Sequence, residues 1–224
     1  MIFRSLLALI AGAVLAASPA AAKSKVPVAA PAPALPTLVD PDPSHTPEDV
    51  LLLDLSNGGS VAIRLMPRWA PKHVERIKTL VAQGFYDGVI FHRVIEGFMA
   101  QTGDPTGTGA GGSKLPDLKA EFNSMPHLRG TVSAARTSDP DSANSQFFIV
   151  FYPRFSLDRK YTVFGRVISG MEVADRIERG EPPANPTRIL RARMAAGGAV
   201  AAPVPVPPAE TAISVDDLNN SKSD

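Results

Sequence analysis

Cysteine is absent from the 224 residues, which excludes a disulfide framework, a thiolate nucleophile and thiolate metal sites; the fold must rest on its core alone. Charge of one sign is not in excess, with 23 Lys plus Arg against 22 Asp plus Glu, so no electrostatic argument for nucleic acid or an anionic membrane as partner arises. Aromatics are sparse and tryptophan occurs once, at Trp69. Beyond the first 22 residues no apolar run is long enough for a transmembrane helix. H-E-x-x-H, G-x-S-x-G and S-x-x-K arrangements are all missing from the central region, which disfavours zinc hydrolysis and the commoner serine nucleophiles. A Ser-His-Asp set assembled from distant segments stays open, although Ser133 and Ser145, flanked by strand-like runs, read as partners for backbone groups. His92 with Glu96 is the tightest His/carboxylate grouping and has no second histidine beside it, so no metal and no other cofactor is expected. His73, in a first helical turn, reads as solvated.

What is present begins with a secretory signal over residues 1–22: Arg4, then the apolar SLLALIAGAVLA, then Ala20, Ala21 and Ala22 before Lys23. The apolar stretch is about a dozen residues, short for the roughly 30 Å of a bilayer core; a retained anchor is the competing reading. Residues 23–47 are dominated by Pro, Ala and Val and read as an extended spacer. Residues 195–224 are similar, end polar and read as a disordered tail. The folded domain is expected at 48–194. Export without cysteine fits a bacterial periplasm, with a soluble, monomeric mature protein.

Within the domain, VLLLDL (50–55), the Asn57-Gly58-Gly59 turn and SVAIRL (60–65) form a hairpin signal. VIFHRV (89–94), GTVSAA (130–135), QFFIV (146–150), TVFGRVI (162–168) and TRILRAR (187–193) are further strand candidates. Two segments have helical spacing: Pro71 to Gln83, with Val74, Ile77, Leu80 and Val81 on one face, and Met171 to Arg179. Many short strands with two helices predict a mainly β domain closing as a barrel or sandwich. Gly107, Gly109 and Gly112 match G-x-G-x-x-G, but Pro105 and Pro116 flank them and no helix opens there, so they read as a surface loop rather than a dinucleotide site.

FHRVIEGFMAQTGD (91–104) is different: it carries one arginine among Phe, Met and Gln and follows neither helical nor strand rhythm. Together with the Gly-rich loop after it, the run from Ser133 to the Asn144-Ser145-Gln146-Phe147-Phe148 block, and YTVFGRVISGM (161–171), it resembles the cyclophilin family of peptidyl-prolyl cis-trans isomerases. The resemblance runs through the whole domain in order.

That resemblance implies an eight-stranded antiparallel closed β-barrel capped by two α-helices, acting on proline-containing polypeptides. It assigns Arg93 as the catalytic arginine. It makes Phe98 and Met99 the floor for a proline ring, Gln101 a backbone clamp, and Gln146 and Phe147 a second polar contact and wall. Ala135 and Arg136 align with the segment receiving the peptide backbone, Leu157 and Tyr161 with the far wall, and His92 with a residue that packs beside the arginine. Two departures stand out: many relatives have asparagine where Arg136 stands, and many eukaryotic relatives have tryptophan where this chain reads Phe155-Ser156 before Leu157-Asp158. The second departure implies weaker binding of cyclosporin. A reading from another class is a proline-binding, chaperone-like module with incidental isomerase activity.

Overall fold

The computed structural model describes residues 45–197; the signal and nearly all of the spacer and tail read from the sequence lie outside them. Eight strands form one antiparallel sheet: β1 (Val50–Leu55), β2 (Gly59–Leu65), β3 (Arg93–Ile95), β4 (Met99–Thr102), β5 (Thr131–Ala134), β6 (Phe147–Val150), β7 (Val163–Ser169) and β8 (Ile189–Met194). Their order is β3-β4-β6-β5-β7-β2-β1-β8.

Local chemistry accounts for the hairpin. β1 and β2 pair from Val50–Arg64 to Leu55–Gly59, and the turn needs φ of 82° at Gly58 and 133° at Gly59, values that L side chains avoid. Strand alternation then sends Leu51, Leu53 and Leu55 inward together with Val61, Ile63 and Leu65. Phe91, Phe147, Ile149 and Phe164 join them as fully buried side chains, each contributing about 1.5–3 kcal/mol through burial.

The expected closed barrel does not form. β3 and β8 end the sheet order; among the described residues their edges are joined by the isolated bridges of Ile90 with Arg188 and Val94 with Gly180 and by backbone bonds between 88–91 and 187–189, not by a continuous ladder. The sheet curls around its core as an open half-barrel. VIFHRV enters a strand at its end, with β3 beginning at Arg93, while Ile90 bridges Arg188 and its carbonyl accepts from the Thr102 hydroxyl at 2.9 Å. A strand absent from the sequence reading, β4, lies in the arginine-bearing run and pairs on both sides, with β3 and β6.

Helix α1 (Pro71–Ala82) buries Val74, Ile77, Leu80 and Val81. Its N-cap, Ala70, has no side-chain acceptor, so Glu121 serves instead, taking the Lys72 and His73 N–H groups at 3.1 and 3.0 Å. The same carboxylate accepts from His73 Nδ1 at 2.7 Å. His73 is therefore buried, not solvated, and burial lowers its pKa despite Glu121. Helix α2 (Met171–Asp175) ends earlier than its spacing suggests, because the Arg179 guanidinium takes the Asp175 and Ile177 carbonyls and Gly180 turns out to pair with Val94. Among the described residues no helix is long and apolar enough to cross a membrane.

Candidate active site

The outer face of the sheet carries a transverse row across four strands. Arg93 stands opposite Gln101, Gln101 opposite Phe148, and Phe148 opposite Ser133. Facing residues on adjacent strands have Cβ atoms about 4.5–5.5 Å apart, so backbone register alone sets a cation, an amide and an aromatic ring side by side. Ile95 and Met99, two residues further along β3 and β4, share that face and extend it with apolar surface.

Arg93, Gln101 and Phe148 of this row belong to a pocket lined by Arg93, Phe98, Met99, Gln101, Ala135, Arg136, Phe148, Leu157 and Tyr161. Eight of the residues singled out in the sequence thus meet in one place. Phe147 does not join them. In β6 its neighbour Phe148 faces outward, while Phe147 points into the core and meets Tyr86 and Phe164 edge-on at 5.7 and 6.1 Å. An apolar run such as FFIV hides which alternate residue faces which side, because both sides are buried.

His92 also stays out of the pocket, for the same period-two reason: Arg93 faces out, so His92 faces in. Its ring lies beneath the Gly-rich loop, close to Gly109, and desolvation lowers its pKa.

Gln146 lines a second, larger depression beside the first, with Gln101, Ala135 and Arg136 shared between the two. Its Oε1 accepts from Gln101 Nε2 at 2.8 Å, and its Nε2 donates to the Gly109 and Gly111 carbonyls at 3.0 and 2.7 Å. The preceding residues serve the same loop region. Asn144 donates to the Leu115 carbonyl and accepts from Ser113. Ser145 Oγ donates to the Gly103 carbonyl at 2.7 Å. Gly103, at φ 93°, sits so close to the Ser145 carbonyl that any Cβ there would collide with it. The Gly-rich loop itself is organised by Asp104, whose carboxylate accepts from Thr106, Thr108, Gly109 and Gly111. Desolvation opposes ionisation of Asp104, but these donors outweigh it and lower its pKa to about 2.

Behind Phe148 lies an arrangement the sequence analysis left open. Ser133 Oγ is 2.9 Å from His127 Nε2, and His127 Nδ1 is 2.8 Å from Asp158 Oδ1. Desolvation lowers the His127 pKa more than Asp158 raises it, so the neutral ring donates from Nδ1 and accepts the Ser133 hydroxyl at Nε2. Ser133 and His127 are fully buried. No substrate carbonyl reaches that hydroxyl, and the set serves as a scaffold: His127 stacks at 6.3 Å on Phe148 and meets Tyr161 edge-on.

Three further contacts at the rim escaped the sequence analysis. Arg93 Nε donates to Glu181 at 2.6 Å, the Arg136 guanidinium lies 4.4 Å from the Tyr161 ring centre, and the Arg154 guanidinium lies 4.7 Å from that of Phe98. No local signal marks such pairs, since Glu181 is 88 positions from Arg93.

Comparison with known proteins agrees with this geometry. Residues 51–194 match the model of the cyclophilin type peptidyl-prolyl cis-trans isomerase/CLD family. A probable peptidyl-prolyl cis-trans isomerase of Brucella suis is 48% identical over 166 residues, covering 67% of this chain and 84% of that protein. A peptidyl-prolyl cis-trans isomerase-like 1 of Aspergillus niger is 43% identical over 144 residues, covering 61% of this chain and 89% of that one. The crystal structure of a Hirschia baltica cyclophilin superposes with a TM-score of 0.62 at 32% identity, covering 66% of this chain and 74% of that one. A Cryptosporidium parvum cyclophilin type isomerase, crystallised in the presence of the dipeptide Ala-Pro, superposes with a TM-score of 0.60 at 28% identity, covering 65% and 98%. With the family pattern spanning the whole described sheet and the pocket built on it, this chain belongs to the cyclophilin-type peptidyl-prolyl cis-trans isomerases.

Proposed function

We propose that this isomerase acts on Xaa-Pro bonds of proteins exported with it, and that Arg93 stabilises the twisted amide without any covalent step. Rotation about an amide meets a barrier of about 18–20 kcal/mol because it breaks C–N conjugation. No bond has to form and no proton has to move, so a catalyst needs only to hold the twisted form better than either planar form. Phe98, Met99, Phe148, Leu157 and Tyr161 offer an apolar seat for the proline ring. Gln101, held by Gln146, offers a polar contact to the flanking backbone.

As the amide twists, its nitrogen pyramidalises and gains a usable lone pair. The Arg93 guanidinium, on the pocket wall, directs donors at that nitrogen and the adjacent carbonyl oxygen. Each 1.36 kcal/mol of differential stabilisation gives about tenfold in rate. Roughly 5–6 kcal/mol, within reach of a few aligned donors in a partly dry pocket, gives about ten-thousandfold.

The observation that carries this reading is the Arg93–Gln101–Phe148 row, which sets cation, amide and ring on one rigid face. The export half is supported by the signal pattern of residues 1–22, a sequence feature that favours a periplasmic location. Exchange NMR on a short Xaa-Pro peptide tests the catalytic half: Arg93→Ala is expected to lower kcat/KM by about 100- to 1000-fold, and equal rates for variant and wild type would end the claim. Fractionation with N-terminal sequencing tests the other half, with Lys23 as the expected first residue of a periplasmic form.

A further inference from the structure

Two arginines at the pocket rim, Arg136 and Arg154, have no carboxylate partner among the described residues, and we infer that the protein selects prolines flanked by acidic residues. This specificity rests on the isomerase reading above. Three arginines border the pocket. Arg93 is neutralised by Glu181 at 2.6 Å, as Arg179 is by Glu96 and Arg129 by Asp175 elsewhere on the surface. Arg136 and Arg154 differ: among the described residues neither has a carboxylate within ion-pair distance.

Both cations are nonetheless held in place. The Arg136 guanidinium lies over the Tyr161 ring, 4.4 Å from its centre, and donates to the Lys160 carbonyl from Nε and Nη2, at 3.2 and 2.8 Å, and to the Thr137 carbonyl at 2.8 Å. Every one of those partners is neutral, so its charge is fixed in position and left uncompensated. Arg154 lies over Phe98 at 4.7 Å, with its backbone tied to the His127 carbonyl. Tyr161 and Phe98 are themselves pocket walls. A proline ring seated between these rings brings its flanking residues within reach of both guanidiniums. Arg136 in addition stands where the pocket opens into the second depression.

The carboxylates around the pocket are held by other donors: Glu181 by Arg93, Asp158 by His127, Asp117, which lines the second depression, by Asn144 at 2.8 Å, and Asp139 and Asp141 by the backbone N–H groups of Asp141 and Ala120. Of these only Glu181 is balanced by a cation, and among the described residues none of the others comes within ion-pair distance of Arg136 or Arg154. A pre-fixed guanidinium loses little side-chain freedom when it meets a carboxylate and offers a planar fork for it. The chemistry selected is thus a Glu or Asp side chain near the proline, with Lys or Arg there disfavoured by like charge.

The test uses the purified protein and matched peptides that carry Glu, Gln or Lys in turn just before or just after the proline. Isomerisation is read by exchange NMR, and binding of the same peptides by chemical-shift titration, so selectivity is measured whether or not a peptide turns over. The Glu peptide is expected to exceed the Lys peptide by about three- to tenfold in kcat/KM and in affinity on at least one flank. The ratio should narrow towards parity at about 0.5 M salt. In Arg136→Gln/Arg154→Gln it should fall to within about twofold, with Arg154→Gln alone, at an exposed position, giving an intermediate ratio should the double variant fold poorly. Equal binding of Glu and Lys peptides by wild type, or a ratio surviving both substitutions, overturns the inference. Acid-selective binding with no turnover of any peptide would uphold it and overturn the isomerase reading instead.

Discussion

Arg93 donates its Nε–H to Glu181 Oε1 at 2.6 Å, and the backbones behind the two side chains are joined as well: Val94 and Gly180 exchange both N–H···O bonds, at 2.8 and 2.9 Å. The pair sits where the half-barrel is open, so the isolated Val94–Gly180 bridge ties the acid to the strand that bears the arginine. Fixing Nε leaves the two terminal nitrogens as the guanidinium's remaining donors. Glu181 is in this view a positioning residue. Both side chains are about half exposed, at 44% and 51%, so solvent screening keeps the effect small. Glu181→Ala is expected to lower kcat about two- to fivefold with KM little changed, and Glu181→Gln, which still accepts the bond, to recover most of the loss. A rise in KM alone would show that Glu181 touches substrate rather than orienting Arg93.

The adjacent phenylalanines of β6 separate stability from function. Phe147 lies in the core against Tyr86 and Phe164, whereas Phe148 lines the pocket. Phe147→Ala is expected to cost about 3–5 kcal/mol of stability, read by urea unfolding, while activity per folded molecule is retained. Phe148→Leu keeps apolar volume and is expected to cost under about 1.5 kcal/mol, yet to raise KM for Xaa-Pro peptides several-fold by removing a flat wall. The opposite assignment of losses would reverse the placement of the two rings.

These rings also mark the limit of what a sequence discloses. The β1–β2 hairpin was legible because alternation and Asn57-Gly58-Gly59 act locally, and α1 because Val74, Ile77, Leu80 and Val81 recur at helical spacing. The family was legible in 91–104 because arginine, glutamine and bulky apolar residues there matched its pattern. β4 was not, since Gln101 and Met99 face a pocket rather than plain solvent or core and so break the alternation. His73 looked solvated because its partner, Glu121, is 48 positions away. Glu181 and Arg154 were invisible for the same reason: their roles arise from tertiary contact alone.

Three buried histidines give stability a defined pH dependence. His73, His92 and His127 are each desolvated, and in each case burial lowers the pKa from 6.5. The folded state therefore resists protonation while the unfolded state accepts it near 6.5, so the unfolded chain binds more protons as pH falls. Stability from these groups is fully present above about pH 6.5 and is lost as pH falls through the folded values. Thermal unfolding between pH 7.5 and 5 is expected to show a falling Tm with decreasing pH. His127→Gln, which retains one donor and one acceptor, should flatten part of that slope. A Tm that rises on acidification would contradict neutral burial of these rings.

Asp104 gives the pocket a remote control through the Gly-rich loop. Its carboxylate collects N–H groups of Thr106, Gly109 and Gly111 together with two threonine hydroxyls, and the Gly109 and Gly111 carbonyls in turn hold the Gln146 amide. Gln146 then holds Gln101, opposite Arg93. Removing the carboxylate leaves those donors without their acceptor, at about 1–3 kcal/mol for loss of such a buried, charge-assisted set. The folded pKa of about 2 lies below the usual carboxylate value, so this contribution is present above about pH 4 and is lost as pH falls towards 2. Asp104→Ala is expected to raise amide exchange across residues 106–111 and to lower kcat/KM several-fold, because Gln146 loses its fixed carbonyls and no longer holds Gln101, while the apolar walls stay in place. Gln146→Ala should lower kcat/KM to a similar extent without loosening the loop, and the double variant should be no worse than Asp104→Ala, as expected for two residues on one chain of contacts. Additive losses would mean that loop and amide act on the pocket independently.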